Sequence, residues 1–342
     1  MNLPITLLSF NITDIGDKFH LALNRLPPTE HASILRYKFG RDRQLALAGR
    51  LLRRYYYSKT LGIPWNKLEF FIQPDGKPAL VHPQGKSVDF NISHDGNWVI
   101  FGATEIPTTC IGVDVVWINP DTYGPIDDFI SSFNSQLTVE EQELLAKISN
   151  EETRLTTFYQ IWGLKESYIK AIGKGLALDL DQFCILPQQQ RQQTYQQRNQ
   201  YKDQHCFAQP TSRVDADNSI EQKNAGGTER TITTTTTTTT ARAPQLQQGR
   251  TRLVLRTKGQ NRDKHADHWC IHLGYLDSQS ISVVCCGSKI DSTPLDEDLV
   301  QLGNTTLGLG DMYNEQQQAS IFTRLDLDTL LSNTPPPSPA LM

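Results

Sequence analysis

Residues 153–176 read TRLTTFYQIWGLKESYIKAIGKGL, and this stretch constrains the fold more than any other. Its apolar residues recur at helical spacing, and Gly173 follows the last of them, at a position where glycine commonly ends a helix. The pattern predicts one long helix over residues 153–172. Glu166 and Lys170 are four residues apart, so this helix carries both side chains on one face.

The pairing of Glu166 with Lys170 admits two interpretations. It is an ordinary surface ion pair in many helices. A carboxylate beside an ammonium is also what a metal-assisted displacement at phosphorus requires, because one group holds Mg²⁺ or takes a proton while the other neutralises charge on phosphate. The two residues alone leave both interpretations open.

A second carboxylate, Asp114, lies within the apolar run of residues 110–116, which predicts a buried strand. Burying a carboxylate is costly unless a cation or hydrogen-bond donors meet it, and Mg²⁺ prefers such oxygen ligands. Val116 is two residues further along, so we expect it on the same face of the strand as Asp114.

Asn91-Ile92-Ser93-His94 closes another predicted strand, over residues 88–92, and leads into a turn before a strand over residues 98–103. A hydroxyl, an imidazole and free backbone N–H groups at such a turn can meet a phosphate. The alternative for His94 is a purely structural role.

Eight basic residues and one acid lie between positions 36 and 59, which suggests that an anion docks nearby. A solvated helix face is the alternative. Arg41 and Arg43 are the better phosphate candidates because they stand where a helix over residues 42–61 begins. The buried stripe predicted for that helix comprises Leu45, Leu47, Ala48, Leu51, Leu52, Tyr55 and Tyr56.

The chain has 342 residues, which suggests two domains at roughly 100–200 residues each. It contains no apolar run of about 18 residues and no secretory leader pattern, so we expect a soluble, cytoplasmic protein. The six cysteines form no CxxC pair, which favours reduced thiols over a zinc site or a disulfide framework.

Composition divides the chain further. Residues 188–250 are rich in Gln and Thr and poor in aliphatic residues, so we expect a disordered insert. Residues 288–342 end in a proline-rich run, which predicts a tail with local structure at most. The remaining sequence mixes helices and strands, giving an α+β protein with an N-terminal lobe over 1–105 and a C-terminal lobe over 106–287. Within the second lobe, Thr138 and Glu141 predict a capping box at a helix start.

Taken together, five motifs resemble the signature of the 4′-phosphopantetheinyl transferases, in the order of that family. The resemblance is greatest to the stand-alone eukaryotic form that serves α-aminoadipate reductase. The motifs are Gly40-Arg41-Asp42, Gly76-Lys77-Pro78, Asn91-Ile92-Ser93-His94, Gly112-Val113-Asp114 and Trp162-x-x-Lys165-Glu166-x-x-x-Lys170-x-x-Gly173-x-Gly175.

The resemblance implies two similar α/β lobes in one monomeric chain, a pseudo-dimer with coenzyme A and Mg²⁺ in the cleft between them. It implies transfer of the 4′-phosphopantetheine arm of coenzyme A to a serine of apo carrier domains, with release of adenosine 3′,5′-bisphosphate. The implied carriers belong to α-aminoadipate reductase or to fatty-acid, polyketide or peptide synthases, and the first of these links the protein to lysine biosynthesis. No nucleic acid or membrane is implied.

The resemblance also assigns roles to residues. Asp114 and Glu166 would hold Mg²⁺, and Lys170 would steady the departing phosphate. Glu166 would act as the base, either directly or through metal-bound water. The residues implied to bind coenzyme A are Arg41, Lys77, Pro78, Asn91, Ser93, His94 and Lys170. Many relatives carry a second acid two residues after the first aspartate, whereas this chain has Val116, which leaves two carboxylate ligands.

Two other classes of function use parts of the same sequence. A non-catalytic module for coenzyme A or nucleotides would use the basic residues but would not need Asp114 and Glu166 together. A nucleic-acid-binding protein would use the face of residues 36–59, where Tyr55, Tyr56 and Tyr57 follow the cations. The negative net charge and the predicted burial of two tyrosines argue against it.

Overall fold

The computed structural model describes residues 5–73, 76–81, 88–119, 121, 124–187, 253–257, 269–289, 309, 311–314, 320–332 and 334. They all belong to one compact unit. The predicted insert, residues 188–250, lies outside the described residues. Helices and strands are both abundant, as the α+β prediction requires, while the division into two similar lobes stays a prediction.

Helices and strands occur in runs along the described chain. The helices are α1 (Phe19–Leu23), α2 (Pro28–Leu35), α3 (Gly40–Leu61), α4 (Ile126–Ser131), α5 (Val139–Ala146), α6 (Glu151–Ile172) and α7 (Leu327–Leu331). The strands are β1 (Ile5–Asn11), β2 (Phe70–Ile72), β3 (Pro78–Leu80), β4 (Asp89–Asp95), β5 (Trp98–Thr104), β6 (Thr109–Trp117), β7 (Phe183–Pro187), β8 (Leu253–Thr257), β9 (Trp269–Asp277), β10 (Ser280–Ser288) and β11 (Thr323–Leu325).

Two sheets carry most of the structure. The first has the order β11-β1-β5-β4, in which β11 is parallel to β1 and the other pairs are antiparallel. The second has the order β6-β10-β9 and is antiparallel throughout. Two antiparallel pairs of strands, β2-β3 and β7-β8, complete the described strands.

Side chains of β4 join the first sheet to the edge of the second. Four of them accept hydrogen bonds from alternate backbone N–H groups of β6, which would otherwise be buried without partners. The pairs are Asp89 with Ile111 (2.7 Å), Asn91 with Val113 (3.1 Å), Ser93 with Val115 (3.3 Å) and Asp95 with Trp117 (2.8 Å). This ladder fixes the register of β6 against β4 on both sides of Asp114.

The long helix α6 packs on β6 and β10, and a glycine sets how closely it approaches. A Cβ atom built on Gly112 would lie 2.0 Å from the carbonyl oxygen of Ser167 and 2.4 Å from the backbone nitrogen of Ala171. Any side chain at this position would force the helix away from the strand. Gly112 therefore lets Asp114, two residues later, lie beside the α6 backbone.

The predicted C-terminal end of α6 and the capping box at α5 are both confirmed, whereas α6 begins at Glu151, two residues before the predicted start. Gly173 follows α6 with φ +67°, the left-handed conformation that glycine adopts without strain. The Thr138 hydroxyl accepts from the Glu141 backbone N–H, and the Glu141 carboxylate accepts from the Thr138 N–H. Local sequence therefore determines where both helices begin or end.

The stripe predicted for α3 needs one correction. Leu45, Leu47, Ala48, Leu51, Leu52 and Tyr56 are buried as expected, but Tyr57 is fully buried whereas Tyr55 is only half-buried. Tyr57 packs edge to face against Phe90 of β4, with ring centroids 5.6 Å apart. This aromatic contact between α3 and β4 accounts for the burial of Tyr57.

The expectation of a weakly structured tail over 288–342 is wrong for residues 320–332. β11 adds a parallel strand to β1, and Phe322, Leu325, Leu327 and Leu330 are buried. Nearby, the Asp311 carbonyl accepts hydrogen bonds from Gln160 (3.0 Å) and Tyr275 (2.9 Å). The composition of the whole segment concealed this short apolar pattern, which supplies enough buried surface to order it.

No helix among the described residues is both long enough and apolar enough to cross a membrane. Five of the six cysteines are described, namely Cys110, Cys184, Cys270, Cys285 and Cys286, and each is a buried free thiol.

Candidate active site

Asp114, Ser93 and Lys170 meet where β4, β6 and α6 come together. The Lys170 ammonium lies 2.5 Å from Asp114 Oδ1 and donates to the Ser93 hydroxyl oxygen over 2.9 Å. The Ser93 hydroxyl in turn donates to Asp114 Oδ1 over 2.8 Å. The structure thus brings together three of the residues predicted for the site, from three separate elements.

Burial raises the pKa of the Asp114 carboxyl, while the charge of Lys170 and the hydrogen bonds from Lys170 and Ser93 oppose that rise. The side chain of Asp114 is only 7% exposed. A buried carboxylate is stable as an anion only where cations and donors meet it. Lys170 and Ser93 are those partners here, and both engage the same oxygen, Oδ1.

Glu166 lies one turn before Lys170 on α6 and borders a cavity. Burial raises the pKa of its carboxyl, the charge of Asp114 raises it further, and Lys170 lowers it. The Asp114 effect means that the two carboxylates are near enough to repel each other. Their spacing in the sequence places Lys170 and Glu166 on one face of the helix. In the structure, Lys170 instead forms its ion pair with Asp114 on the neighbouring strand β6.

The cavity has a volume of about 500 Å³ and is lined by several of the predicted residues. Lys77, Pro78, Asn91, Glu166 and Lys170 all contribute to its wall. Four more lining residues belong to the motifs quoted above: Gly76, Ile92, Gly173 and Gly175. Residues that the sequence did not single out form the rest of the wall: Gln136, Ile169, Leu178, Asp179 and Leu180.

Two of the residues expected to bind coenzyme A also bond within the protein. The Lys77 ammonium lies 2.8 Å and 2.9 Å from the two carboxylate oxygens of Asp89. Asn91 accepts the Val113 N–H through Oδ1, as part of the β4 ladder. Both side chains are therefore held by the protein's own groups.

Ser93 and His94 do not meet in a turn, which corrects the expectation from sequence. β4 continues to Asp95, and the turn consists of Gly96 and Asn97. Successive strand residues point to opposite faces, so Ser93 is buried beside Lys170 whereas His94 is exposed. Partial desolvation, followed by the charge of Lys170, lowers the pKa of His94.

Arg41 stands at the start of α3 and reaches the β4-β5 turn. Its Nε donates to the Gly96 carbonyl over 2.9 Å, and its guanidinium carbon lies 6.0 Å from the centre of the Trp117 ring. The side chain is otherwise exposed. Arg41 is therefore anchored on one edge while the rest of its guanidinium faces solvent.

Much of the basic stretch over residues 36–59 is used inside the protein. Arg50, Arg53 and Arg54 all pair with Glu30 of α2. Arg43 donates to the Tyr37 carbonyl over 2.7 Å. These contacts favour a structural role for the stretch beyond Arg41, rather than one continuous surface for an anion.

Val116 faces the same side of β6 as Asp114, as the spacing predicts. A Cβ atom built on Gly163 of α6 would lie 3.0 Å from Val116 Cγ2 and 3.7 Å from Asp114 Oδ2. Val116 is buried and belongs to the apolar core under α6. The position is thus packed against the helix.

Two family models match the chain. The model described as "4′-phosphopantetheinyl transferase, N-terminal" matches residues 13–106. The model described as "4′-phosphopantetheinyl transferase superfamily" matches residues 110–223. The chain belongs to the 4′-phosphopantetheinyl transferase superfamily. The two matches include every predicted site residue.

Relatives within the superfamily include an animal type and a bacterial type. The chain is 35% identical over 163 residues to the human L-aminoadipate-semialdehyde dehydrogenase-phosphopantetheinyl transferase, covering 47% of this chain and 52% of that protein. It is 35% identical over 156 residues to the Xenopus laevis protein of the same name, covering 45% and 51%. It is 33% identical over 160 residues to a 4′-phosphopantetheinyl transferase of Bacillus subtilis strain 168, covering 47% and 66%. The chain thus spans about half the length of the animal relatives that it matches.

The donor set at the site fits Mg²⁺, the metal expected for this superfamily. Asp114 and Glu166 offer the hard carboxylate oxygens that Mg²⁺ prefers. The two carboxylates repel each other, and a divalent cation bound to both would reduce that repulsion. Among the residues that the structure describes, no group of three or more His, Cys, Asp or Glu side chains forms a metal site. The chain therefore offers two carboxylates, and Mg²⁺ commonly completes such a set with water and substrate phosphates.

Proposed function

We propose that this protein transfers the 4′-phosphopantetheine arm of coenzyme A to a serine of apo carrier domains and releases adenosine 3′,5′-bisphosphate. The observation that carries the proposal is the meeting of Asp114 and Ser93 with Lys170, which lines the same cavity as Glu166. Membership of the superfamily supports the reaction type. A module that only binds coenzyme A has no need for two carboxylates that repel each other.

The reaction is a displacement at phosphorus. The carrier serine Oγ forms a bond to the phosphorus that bears the pantetheine arm, and the bond from that phosphorus to the bridging pyrophosphate oxygen breaks. The serine proton passes to Glu166, which lines the cavity together with Lys170. The leaving group departs as adenosine 3′,5′-bisphosphate.

Asp114 and Glu166 would hold the Mg²⁺ ion, which supplies charge neutralisation on the pyrophosphate when bound. Lys170 borders the cavity and carries the positive charge nearest to these carboxylates in the described site. In the proposed reaction it donates to phosphate oxygens, where a charge-assisted hydrogen bond is strongest. The Ser93 hydroxyl orients Asp114 and Lys170 by bonding to both.

Coenzyme A would lie along the cavity wall formed by Lys77, Pro78 and Asn91, with Arg41 and His94 available to its phosphates beyond the β4-β5 turn. The Lys77 ammonium already pairs with Asp89. We therefore expect Lys77 to contribute to coenzyme A binding through its positive charge. Arg41 and exposed His94 offer nitrogen atoms that face solvent.

The names of the animal relatives suggest which carrier this protein serves. They name the L-aminoadipate-semialdehyde dehydrogenase. We propose the corresponding carrier domain as a partner, along with carriers of fatty-acid, polyketide or peptide synthases. We also propose that the protein is a cytoplasmic monomer and that it binds neither nucleic acid nor a membrane.

The proposal is tested by incubating the full chain with coenzyme A, Mg²⁺ and a panel of apo carrier domains, then weighing each carrier by mass spectrometry. A carrier that gains one phosphopantetheine group supports the function and identifies the partner. Tight binding of coenzyme A with no change in the mass of any carrier would favour the non-catalytic module instead.

A further inference from the structure

Lys165 is fully buried, although it is the immediate neighbour of Glu166 on α6. Its ammonium donates to the carbonyl oxygens of Leu180 (2.7 Å) and Phe183 (2.6 Å), and it lies 2.8 Å from Oε2 of Glu141. An ammonium has three N–H bonds, and these partners use them all. This motif lysine is therefore turned into the protein and has no donor left for a substrate.

The partners of this ammonium belong to segments that wall the cavity. Leu180 lines the cavity itself, and Phe183 begins β7 three residues later. Glu141 belongs to the capping box of α5, where its carboxylate also accepts the Thr138 N–H over 2.9 Å. Thr138 lies two residues after Gln136, another residue of the cavity wall. One side chain thus ties both walls to α6.

Stability alone is a poor explanation for this arrangement. A buried ion pair commonly contributes no more to folding than well-packed apolar residues of similar volume. Here, moreover, the second carboxylate oxygen of Glu141 is buried without a hydrogen-bond partner among the described residues, which adds a cost. An apolar residue at position 165 could not donate hydrogen bonds to the carbonyl groups of Leu180 and Phe183.

We infer that Lys165 is a positioning residue, which holds the cavity wall of Gln136 and residues 178–180 at a fixed distance from Glu166 and Lys170. The inference rests on the proposed transferase function. Lys165 touches none of the reacting groups, and α6 and β6 hold Glu166, Lys170 and Asp114 independently of it. Loss of the lysine should therefore weaken the binding of coenzyme A far more than it slows the chemical step.

Three variants of the full chain separate positioning from folding. Lys165→Met removes the ammonium and leaves Glu141 buried and unpaired. The double variant Lys165→Met/Glu141→Gln removes both charges, while the glutamine oxygen still accepts the Thr138 N–H, so it recovers much of the stability that the single variant loses. Glu141→Gln is the matched control, because it loses the ion pair but keeps the lysine bonds to Leu180 and Phe183.

The measurements are the melting temperature, KM for coenzyme A, kcat, and hydrogen exchange of residues 178–183. We expect the double variant to melt within about 4 °C of the wild type. We expect its KM for coenzyme A to rise about tenfold, its kcat to change less than about twofold, and residues 178–183 to exchange faster. Glu141→Gln should melt at a lower temperature but keep a KM near that of the wild type.

A double variant with wild-type KM and wild-type exchange would overturn the inference, because the pair would then be structural only. If the double variant does not fold, Glu141→Gln decides: a KM near the wild-type value supports the inference, and a tenfold rise contradicts it. Failure of the wild type to modify any carrier would refute the proposed function instead. The exchange of residues 178–183 would still report whether Lys165 holds the wall.

Discussion

The ammonium of Lys170 on α6 lies 2.5 Å from the carboxylate of Asp114 on β6, so the shortest ion pair of the site joins two elements rather than two turns of one helix. Gly112 makes this possible, because its lack of a side chain lets α6 approach the strand. The ladder of β4 side chains then holds Ser93 against both partners. The site therefore depends on helix-strand packing as much as on the motif residues.

The position of Lys170 predicts a large difference between two lysines of the same motif. Lys170→Met should lower kcat/KM by about 100-fold or more, since it removes the charge nearest to the reacting phosphate. Lys174→Met should change kcat/KM by less than about twofold, because Lys174 is exposed beyond the end of α6. Steady-state kinetics on both variants checks this. Similar losses in the two variants would show that the phosphates bind elsewhere.

Glu166 should titrate above the ordinary pKa of a glutamate in the metal-free protein, because burial and the Asp114 charge both favour its protonated form. Asp114→Asn removes the like charge, so the pKa of Glu166 should fall. Lys170→Met removes the cation that lowers this pKa, so it should rise. Carboxyl carbon NMR of glutamate-labelled protein measures all three, with Glu166→Gln to assign the signal. Opposite shifts in either variant would contradict the charge arrangement.

The raised pKa of Glu166 also fixes the sign of a stability effect. The folded protein binds a proton at this carboxyl more tightly than the unfolded chain does, so the free energy of unfolding contributed by Glu166 declines as pH rises through the interval between the two pKa values. Glu166→Gln removes this dependence. Urea unfolding of metal-free wild type and Glu166→Gln across that interval measures it. A difference in stability that does not vary with pH would mean that the folded state leaves the pKa unchanged.

The C-terminal segment should contribute to the stability of the core. Leu330 of α7 is fully buried, so Leu330→Ala should lower the free energy of unfolding by about 2–5 kcal/mol. Met312 is 42% exposed, and Met312→Ala should change it by less than about 0.5 kcal/mol. Equilibrium urea denaturation compares the two. Equal effects would return residues 320–332 to the status of a loose tail.

The segment between β7 and β8 should be replaceable. These strands pair directly, from Phe183 opposite Thr257 to Pro187 opposite Leu253, so the ends of any connection are held together. Replacing residues 188–250 with a short Gly/Ser loop should leave coenzyme A binding unchanged and raise the free energy of unfolding by up to about 2 kcal/mol, since shorter loops close at a lower entropic cost. Calorimetry checks both. A large loss of stability would show that the segment packs on the core.

Local signals in the sequence predict much of this structure. Helix α6, its stop at Gly173 and the capping box at Thr138 follow from spacing and from the chemistry of helix ends. Asp114 stands out because a carboxylate in an apolar strand requires a partner. These features depend on residues close together in the chain, which is why they are visible without a structure.

Long-range contacts explain what the sequence alone does not reveal. The β4 ladder joins residues 22 positions apart, and no periodicity signals that Asn91 accepts a bond from Val113. The sequence pattern does not predict the buried strands β1 and β7, because a short apolar run fits a strand and a buried helix equally well. For Lys165 a signal does exist, since it lies seven residues after Phe158 and four after Ile161, both buried on the same side of α6. Because Lys165 stands next to Glu166 in the motif, it is readily taken for a site residue, and this helical spacing is easily missed.

The most direct test of the account is the mass of an apo carrier domain after incubation with coenzyme A and this protein, with Mg²⁺ or with excess chelator. Wild type should add one phosphopantetheine group only when Mg²⁺ is present. Asp114→Asn and Glu166→Gln keep the shape of each side chain but remove its charge, so both should be slower by about 100-fold or more. Equal modification in chelator, or near-normal turnover by folded Glu166→Gln, would contradict the two-carboxylate site.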